Sequence, residues 1–319
     1  MTEYRRLGSS GLSVSTVGLG CNNLGRPGTA TETQQGTDAV VGAAIDAGIT
    51  LFDVADIYGG HPGLSEEMLG AALGKRRDDV VLATKFGADM RGANGPDWGA
   101  RGSRRYILRA VESSLKRLGT DWIDLYQFHV PDAETPIEET LSALDTLVSD
   151  GKVRYLGHSN RAGWQIAEAE FTARLEGLTP FVSAQNAYSL LDRGAEDEVI
   201  PASAAYGLGL LPYFPLANGL LTGKYSSGKA PEGSRLTRVR THLLEQADLQ
   251  QLAAFGAFAA ARGLTEVQVA FSWLAAQPTV SSIIAGATTP EQVAQNAAAA
   301  SWTPSPSDLE ELDRIFPRG

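Results

Sequence analysis

Ile123-Asp-Leu-Tyr-Gln-Phe128, Ile137-Glu-Glu-Thr-Leu-Ser-Ala-Leu-Asp-Thr-Leu-Val-Ser149 and Val153-Arg-Tyr-Leu-Gly157 follow one another as strand, helix and strand. The turn Asp150-Gly151 separates the helix from the second strand. Two strands joined through a helix run parallel, because the helix spans the return journey. The same alternation extends in both directions. Upstream lie predicted strands at 16–19, 50–54 and 80–84, followed by helices at 34–47, 65–73 and 104–118. Val40, Val41, Ala44 and Ile45 share one face of the 34–47 helix, and Gly48 and Gly119 stand where two of the helices should stop. Downstream lie strands at 182–186, 209–213 and 280–285, with helices at 163–175 and 196–206. A long Gly/Ser/Lys stretch at 219–240 precedes helices near 243–262 and 266–276. A last barrel helix starts at Pro290, and a C-terminal helix covers 307–315. A hairpin comes first, Tyr4 to Leu7 and Ser13 to Ser15 around the turn Gly8-Ser-Ser-Gly11.

Eight apolar strands, each followed by helix, predict an α/β protein: a closed parallel (β/α)8 TIM barrel with an N-terminal β-hairpin and extra C-terminal helices. An open doubly wound sheet usually carries a glycine-rich phosphate loop after an early strand. Here Gly18-Leu-Gly20 is followed by Cys-Asn-Asn, and the Gly-x-Gly-x-x-Gly spacing fails at Asn23. No composition shift or linker divides the chain, so residues 1–319 are expected to form one domain.

Composition narrows the function. The chain has 319 residues, 43% apolar and 20% charged, with a net charge of −10. An acidic chain without a Lys/Arg block points away from nucleic acid and from anionic membrane. No run of 18 apolar residues and no signal-peptide pattern occurs, which makes a cytoplasmic protein the expectation. The single cysteine, Cys21, excludes an intrachain disulfide and a Cys-based zinc site, and the four dispersed histidines do not suggest a metal centre.

In a parallel barrel, chemistry sits at the carboxyl ends of the strands. The second strand ends in Asp53 with Tyr58 five residues on, the third in Lys85 and the fourth in His129. Singly, each has an ordinary structural reading as a turn former, core aromatic or solvated strand end. Together, neighbouring strands deliver a carboxylate, a phenol, an ammonium and an imidazole to one rim. A phenol has a pKa near ~10, and a nearby ammonium lowers it. A carboxylate beside the lysine keeps it charged and oriented, and the imidazole can donate to a carbonyl oxygen. A tuned phenol is a general acid suited to protonating the alkoxide left when hydride reaches a carbonyl carbon. No side chain supplies hydride, so the set implies a nicotinamide cofactor.

These motifs resemble the aldo-keto reductase superfamily over nearly the whole chain. Leu51-Phe-Asp53-Val-Ala-Asp-Ile-Tyr58-Gly with Ser65-Glu66, Ala83-Thr-Lys85 and Asp124-Leu-Tyr-Gln-Phe-His129 carry the resemblance. It implies that Tyr58 is the acid, Lys85 and Asp53 its tuning pair, and His129 the group that orients the carbonyl. It also implies that Ser159, Asn160 and Gln185 hold the nicotinamide carboxamide and that Tyr213 stacks on the ring. Pro215 and Leu216 match the Ser-Pro-Leu turn, with Phe214 at the serine position. The stretch Leu220-Leu-Thr-Gly-Lys224-Tyr225, with Arg235, is similar to the branch related to voltage-gated potassium-channel β subunits and bacterial stress reductases. In that branch the loop folds over the cofactor phosphates.

Thr289-Pro-Glu-Gln292 reads as a capping box. The resemblance also implies that Gly286, Thr288, Gln292 and Asn296 touch the adenosine half of the cofactor. Many relatives carry lysine and arginine at Gly286 and Gln292; Lys224 and Arg235 are the alternative cations. The expectation is therefore NADP(H), with NAD(H) as the alternative, and a small-molecule carbonyl substrate. Met90 and Trp98, in the loop at 86–102, stand between substrate-pocket and ordinary loop roles. Two other readings stay open: an NADP-binding redox sensor or regulatory subunit with slow chemistry, and a lyase or isomerase on the same barrel. Oligomeric state is also open, a homo-oligomer being compatible with such relatives.

Overall fold

The computed structural model describes residues 3–225 and 241–318. The chain opens with the antiparallel hairpin β1 (Tyr4–Arg6) and β2 (Ser13–Ser15). Five parallel strands follow, each preceding a helix: β3 (Val17–Gly20), α1 (Gln34–Asp46), β4 (Leu51–Asp53), α2 (Leu64–Leu73), β5 (Val81–Phe86), α3 (Arg104–Leu118), β6 (Ile123–Phe128), α4 (Ile137–Ser149), β7 (Val153–Ser159) and α5 (Gly163–Glu176). Then come β8 (Phe181–Gln185), α6 (Val199–Tyr206), β9 (Gly209–Leu210), α7 (Thr241–Glu245), α8 (Leu249–Ala261), α9 (Glu266–Ala275), β10 (Ile283–Gly286), α10 (Pro290–Ala299) and α11 (Pro306–Ile315).

The eight barrel strands pair in parallel in the order β10-β3-β4-β5-β6-β7-β8-β9. Parallel bridges Leu210↔Val280 and Tyr213↔Ile284 close the ring. The predicted (β/α)8 barrel, with its hairpin and its last helix, is thus the fold.

Two cores hold it. The larger lies between strands and helices. A smaller one fills the bottom of the barrel, where Leu51, Ala83, Leu125, Leu211 and Ile284 meet Leu7 and Val14. The hairpin therefore plugs the amino-terminal mouth. Its turn packs so closely that a Cβ at Gly8 would lie 2.3 Å from the Gly207 carbonyl oxygen. Only the opposite, carboxyl-terminal mouth is left for chemistry.

Several boundaries differ from the pattern. The strand expected at 209–213 is regular only over Gly209–Leu210. Pro212 has no N–H to donate, and pairing resumes at Tyr213, which bridges Ala187 and Ile284. β7 runs on to Ser159, two residues beyond expectation. The helical stretch near 243–262 is broken before Asp248, whose carboxylate caps α8 by accepting from the Gln250 and Gln251 amides. At Thr289 the side chain caps α10 as expected, but Gln292 Oε1 accepts from Thr288 N at 2.8 Å and Thr288 Oγ1 at 3.1 Å, so the reciprocal arm of the box reaches one residue further back.

Candidate active site

Alternation along the strands decides which side chains face the barrel axis. Leu51 and Asp53, Ala83 and Lys85, and Leu125 and Gln127 are successive inward positions of β4, β5 and β6. The lower member of each pair is apolar and belongs to the plug. The upper member is polar and belongs to the mouth. Backbone pairing continues past the strand ends: Asp56 N donates to Lys85 O at 3.2 Å, and His129 N to Phe86 O at 2.8 Å. These bonds hold the start of the Tyr58 loop against the lysine strand and fix His129 beside it. The loop is tight, with Gly63 N on Asp56 O and Ser65 N on Tyr58 O.

Lys85 is fully buried, and its ammonium is held by two hydrogen bonds. They go to Asp53 Oδ2 at 2.6 Å and to the Val54 carbonyl at 3.0 Å. Burial works against the ammonium, yet the Asp53 carboxylate and Tyr58 outweigh it, so the Lys85 pKa stands above the usual lysine range. Burial raises the Tyr58 pKa, opposed by the nearby Lys85 charge. The phenol is thus protonated at neutral pH, with a cation placed to stabilise the phenolate it would leave. The Tyr58 ring lies 5.1 Å from Lys85 Nζ and meets His129 edge to face at 5.8 Å. His129 is driven down to about 3 by burial and by Lys85, so it is a neutral imidazole. Its Nδ1 is buried without a partner, which leaves Nε2 as the nitrogen open to the mouth.

Asp53, Tyr58, Lys85 and His129 are therefore brought together as the strand-end argument expected. Gln127 joins them without having been assigned a role. Its amide and that of Gln185 each donate to Asp53 Oδ1 at 2.9 Å. With Lys85 on Oδ2, the Asp53 carboxylate is fully engaged and held in one orientation. The signal was available, since Gln127 stands two residues after Leu125 on the same strand face.

The candidate cofactor residues also converge, in two groups. Ser159 Oγ and Asn160 N both donate to the Gln185 carbonyl, and Tyr213 OH donates to Asn160 Oδ1 at 2.8 Å. Asn160 Nδ2 reaches the His129 carbonyl at 3.0 Å. Gln185 uses its amide on Asp53 and Gln127, while its side-chain oxygen accepts no hydrogen bond among the described residues. A carboxamide N–H2 fits that oxygen, and the half-buried Tyr213 ring beside it offers a flat surface. On the far side, Asn296 Nδ2 donates to the Gly286 carbonyl, next to the Thr288–Gln292 pair. Pro215 is buried, Leu216 half-buried and Lys224 exposed. Arg235 lies outside the described residues.

Backbone conformation marks the same rim. Among the described residues, six non-glycine positions adopt positive φ: Arg91, Trp98, Asn160, Phe214, Ala217 and Asn218. All six lie in loops at the carboxyl ends of strands, four of them in the two loops just described. Such conformations cost about 1–3 kcal/mol each and persist where surrounding structure imposes them, often at binding sites.

Other residues behave more simply. Cys21 is buried, and burial raises its thiol far above the range of a reactive cysteine. Met90 is buried, whereas Trp98 is 70% exposed with the Arg105 guanidinium 4.5 Å over its ring. Among the described residues no cluster of three His, Cys, Asp or Glu side chains could hold a metal ion, and no helix is long and apolar enough to cross a membrane.

Comparison with known proteins gives the family. Residues 16–316 match the Aldo/keto reductase family. An uncharacterized oxidoreductase of Bacillus subtilis, YrpG, is 40% identical over 99% of this chain and 96% of its own length. A probable voltage-gated potassium channel subunit beta of rice is 36% identical over 98% of this chain and 96% of its own. The L-glyceraldehyde 3-phosphate reductase of Escherichia coli K12 is 36% identical over 99% and 93%. With its barrel, its lysine-centred polar cluster and a match over nearly its whole length, this chain belongs to the aldo/keto reductase family of oxidoreductases.

Proposed function

We propose that the protein is an NADPH-dependent oxidoreductase that reduces aldehydes or ketones to alcohols, with Tyr58 as the general acid. The observation that carries this reading is the placement of Lys85: fully buried, its ammonium is fixed by Asp53 and the Val54 carbonyl and lies 5.1 Å from the centre of the Tyr58 ring. The charge of a lysine so placed favours release of the Tyr58 proton.

In this reading Ser159, Asn160 and Gln185 hold the nicotinamide carboxamide and Tyr213 stacks on the ring. Pro215, Leu216 and Lys224 line the phosphate side, and Gly286, Thr288, Gln292 and Asn296 the adenosine side. When bound, the nicotinamide supplies the hydride. His129, neutral, donates from Nε2 to the substrate carbonyl oxygen and fixes its position. Tyr58 passes its proton to that oxygen as negative charge develops there, and the Lys85 ammonium stabilises the phenolate left behind. Asp53 keeps the ammonium charged through the cycle. The cations Lys224 and Arg235 favour NADPH over NADH. The cytoplasm is the proposed location.

The test is NADPH oxidation against a panel of carbonyl compounds, repeated with NADH. Glyceraldehyde 3-phosphate belongs in the panel, because a relative is named for reducing its L form. Tyr58→Phe should lower kcat by about 10²–10⁴-fold while NADPH affinity stays within about threefold. Wild-type turnover by that variant would refute the role of Tyr58. A clear preference for NADH would refute the cofactor assignment.

A further inference from the structure

Behind the Lys85 cluster lies a second buried polar group that the proposed chemistry does not use. Thr84, next to Lys85 but facing outward, donates to Glu66 Oε1 at 2.6 Å. Arg117 on α3 donates from Nε to Glu66 Oε2 at 2.7 Å and from Nη1 to Asn94 Oδ1 at 3.1 Å. Asn94 in turn donates to Asp56 Oδ2 at 3.1 Å. Asp56, Glu66, Thr84 and Asn94 are all at most 2% exposed.

The connectivity gives this group its meaning. Asp56 is two residues before Tyr58, and Glu66 lies in the first turn of α2, the helix that follows the Tyr58 loop. Thr84 is on the lysine strand. Asn94 belongs to the loop at 87–102 that follows β5 at the mouth end of the barrel, most of whose side chains are not buried, yet its own amide is driven into the interior. Asn94 is the side-chain donor that reaches Asp56, and Asp56 Oδ1 has no partner among the described residues. One amide thus bridges the mouth loop and the loop bearing the phenol.

We propose that Asp56, Asn94 and Arg117 are positioning residues that lock the mouth loop at 87–102 to the Tyr58 loop, so that the phenol takes its donating position when the mouth loop is docked. This rests on the reading of Tyr58 as proton donor. The charge balance favours the arrangement. The Arg117 guanidinium pairs with Glu66 and not with Asp56, and burial with the neighbouring Glu66 pushes Asp56 well above the usual carboxylate range. A neutral Asp56 accepts from Asn94 without leaving an uncompensated buried charge.

Asn94→Ala and Asp56→Ala should each lower kcat by about 10–100-fold, the scale of a misplacement near 1 Å. NADPH affinity should stay within about twofold, since neither residue is among the proposed cofactor contacts. Asp56→Asn, which keeps an acceptor for Asn94 and resembles the neutral acid, should retain at least about half the wild-type kcat. The double variant Asp56→Ala/Asn94→Ala should lose no more than the worse single one. Hydrogen exchange gives a second readout: in Asn94→Ala, amides at 54–63 should exchange faster although the substitution lies in another loop. Wild-type kcat in Asn94→Ala, losses that multiply in the double variant, equal losses in Asp56→Asn and Asp56→Ala, or unchanged exchange at 54–63 would each overturn the proposal. Asn94→Ala lies in a loop and serves if Asp56→Ala does not fold. Tyr58→Phe, assayed in parallel, separates the two readings. Faster exchange in Asn94→Ala beside a fully active Tyr58→Phe would keep the lock and discard the proton donor.

Discussion

Removing the two charges of the Lys85–Asp53 pair, singly and together, separates what holds the site from what makes it react. The pair is buried, with Lys85 Nζ 2.6 Å from Asp53 Oδ2. At an effective dielectric constant near 20, that separation corresponds to about 6 kcal/mol of attraction, set against a desolvation cost of several kcal/mol per ion. Asp53→Asn leaves a buried ammonium without its counter-ion, and Lys85→Met leaves a carboxylate held only by the Gln127 and Gln185 amides. Each single substitution should reduce stability by about 3–5 kcal/mol. In the double variant neither charge remains. The introduced asparagine side chain keeps an oxygen for the two glutamine amides, so the double variant should lie within about 2 kcal/mol of wild type. Catalysis should not recover with stability. Lys85→Met and the double variant both lack the cation beside Tyr58, and carbonyl reduction should fall by about 10²–10⁴-fold in each. The assay is a double-mutant cycle by chemical denaturation, with turnover measured on the same four proteins. Additive stability losses would refute the coupling. Regained turnover in the double variant would refute the tuning role of Lys85.

Because His129 is held neutral, with a pKa of about 3, its charge state is constant across the neutral range, and kcat/KM should show no imidazole ionisation between about pH 5 and 8. A break near pH 6.5 that vanished in His129→Asn would contradict this. His158 is fully buried, both its ring nitrogens lack partners, and its pKa is pushed down to about 3 against an unfolded value near ~6.5. Its contribution is therefore present above about pH 6.5 and lost as pH falls towards 3; His158→Leu should flatten the acid limb of stability against pH by up to about 1.4 kcal/mol per unit, and an unchanged slope in acid-denaturation curves would refute it. Gln127→Leu removes one of two donors to Asp53 Oδ1 and should cost about 2 kcal/mol of stability by denaturant titration. Gln127→Glu should cost more, since it sets a second carboxylate beside Asp53; equal losses would show that packing alone matters there.

The barrel was legible because its signals are local. Each strand is an apolar run, and each helix has a boundary residue such as Gly119, which takes φ +63 at the end of α3. The ends of β9 and β10 were less legible because their pairing is set by closure of the ring. Pro212 interrupts a run that Tyr213 rejoins only through its neighbours Ala187 and Ile284. At the mouth, Asp53, Tyr58, Lys85 and His129 could be named because each stands at or just past a strand end, where parallel barrels place their chemistry.

Gln127 and Asn94 were harder to assign. A glutamine inside a strand and an asparagine inside a loop have common structural explanations, and their partners lie 74 and 38 residues away in the chain. The sequence by itself determined the order of strands and helices and the side chains offered at the rim, because periodicity and turn chemistry act over a few residues. Only the tertiary structure decided which groups are dry and which atoms they face. Burial and hydrogen-bond direction depend on contacts between distant segments, and those contacts keep Lys85 charged, His129 neutral and Asn94 turned inward.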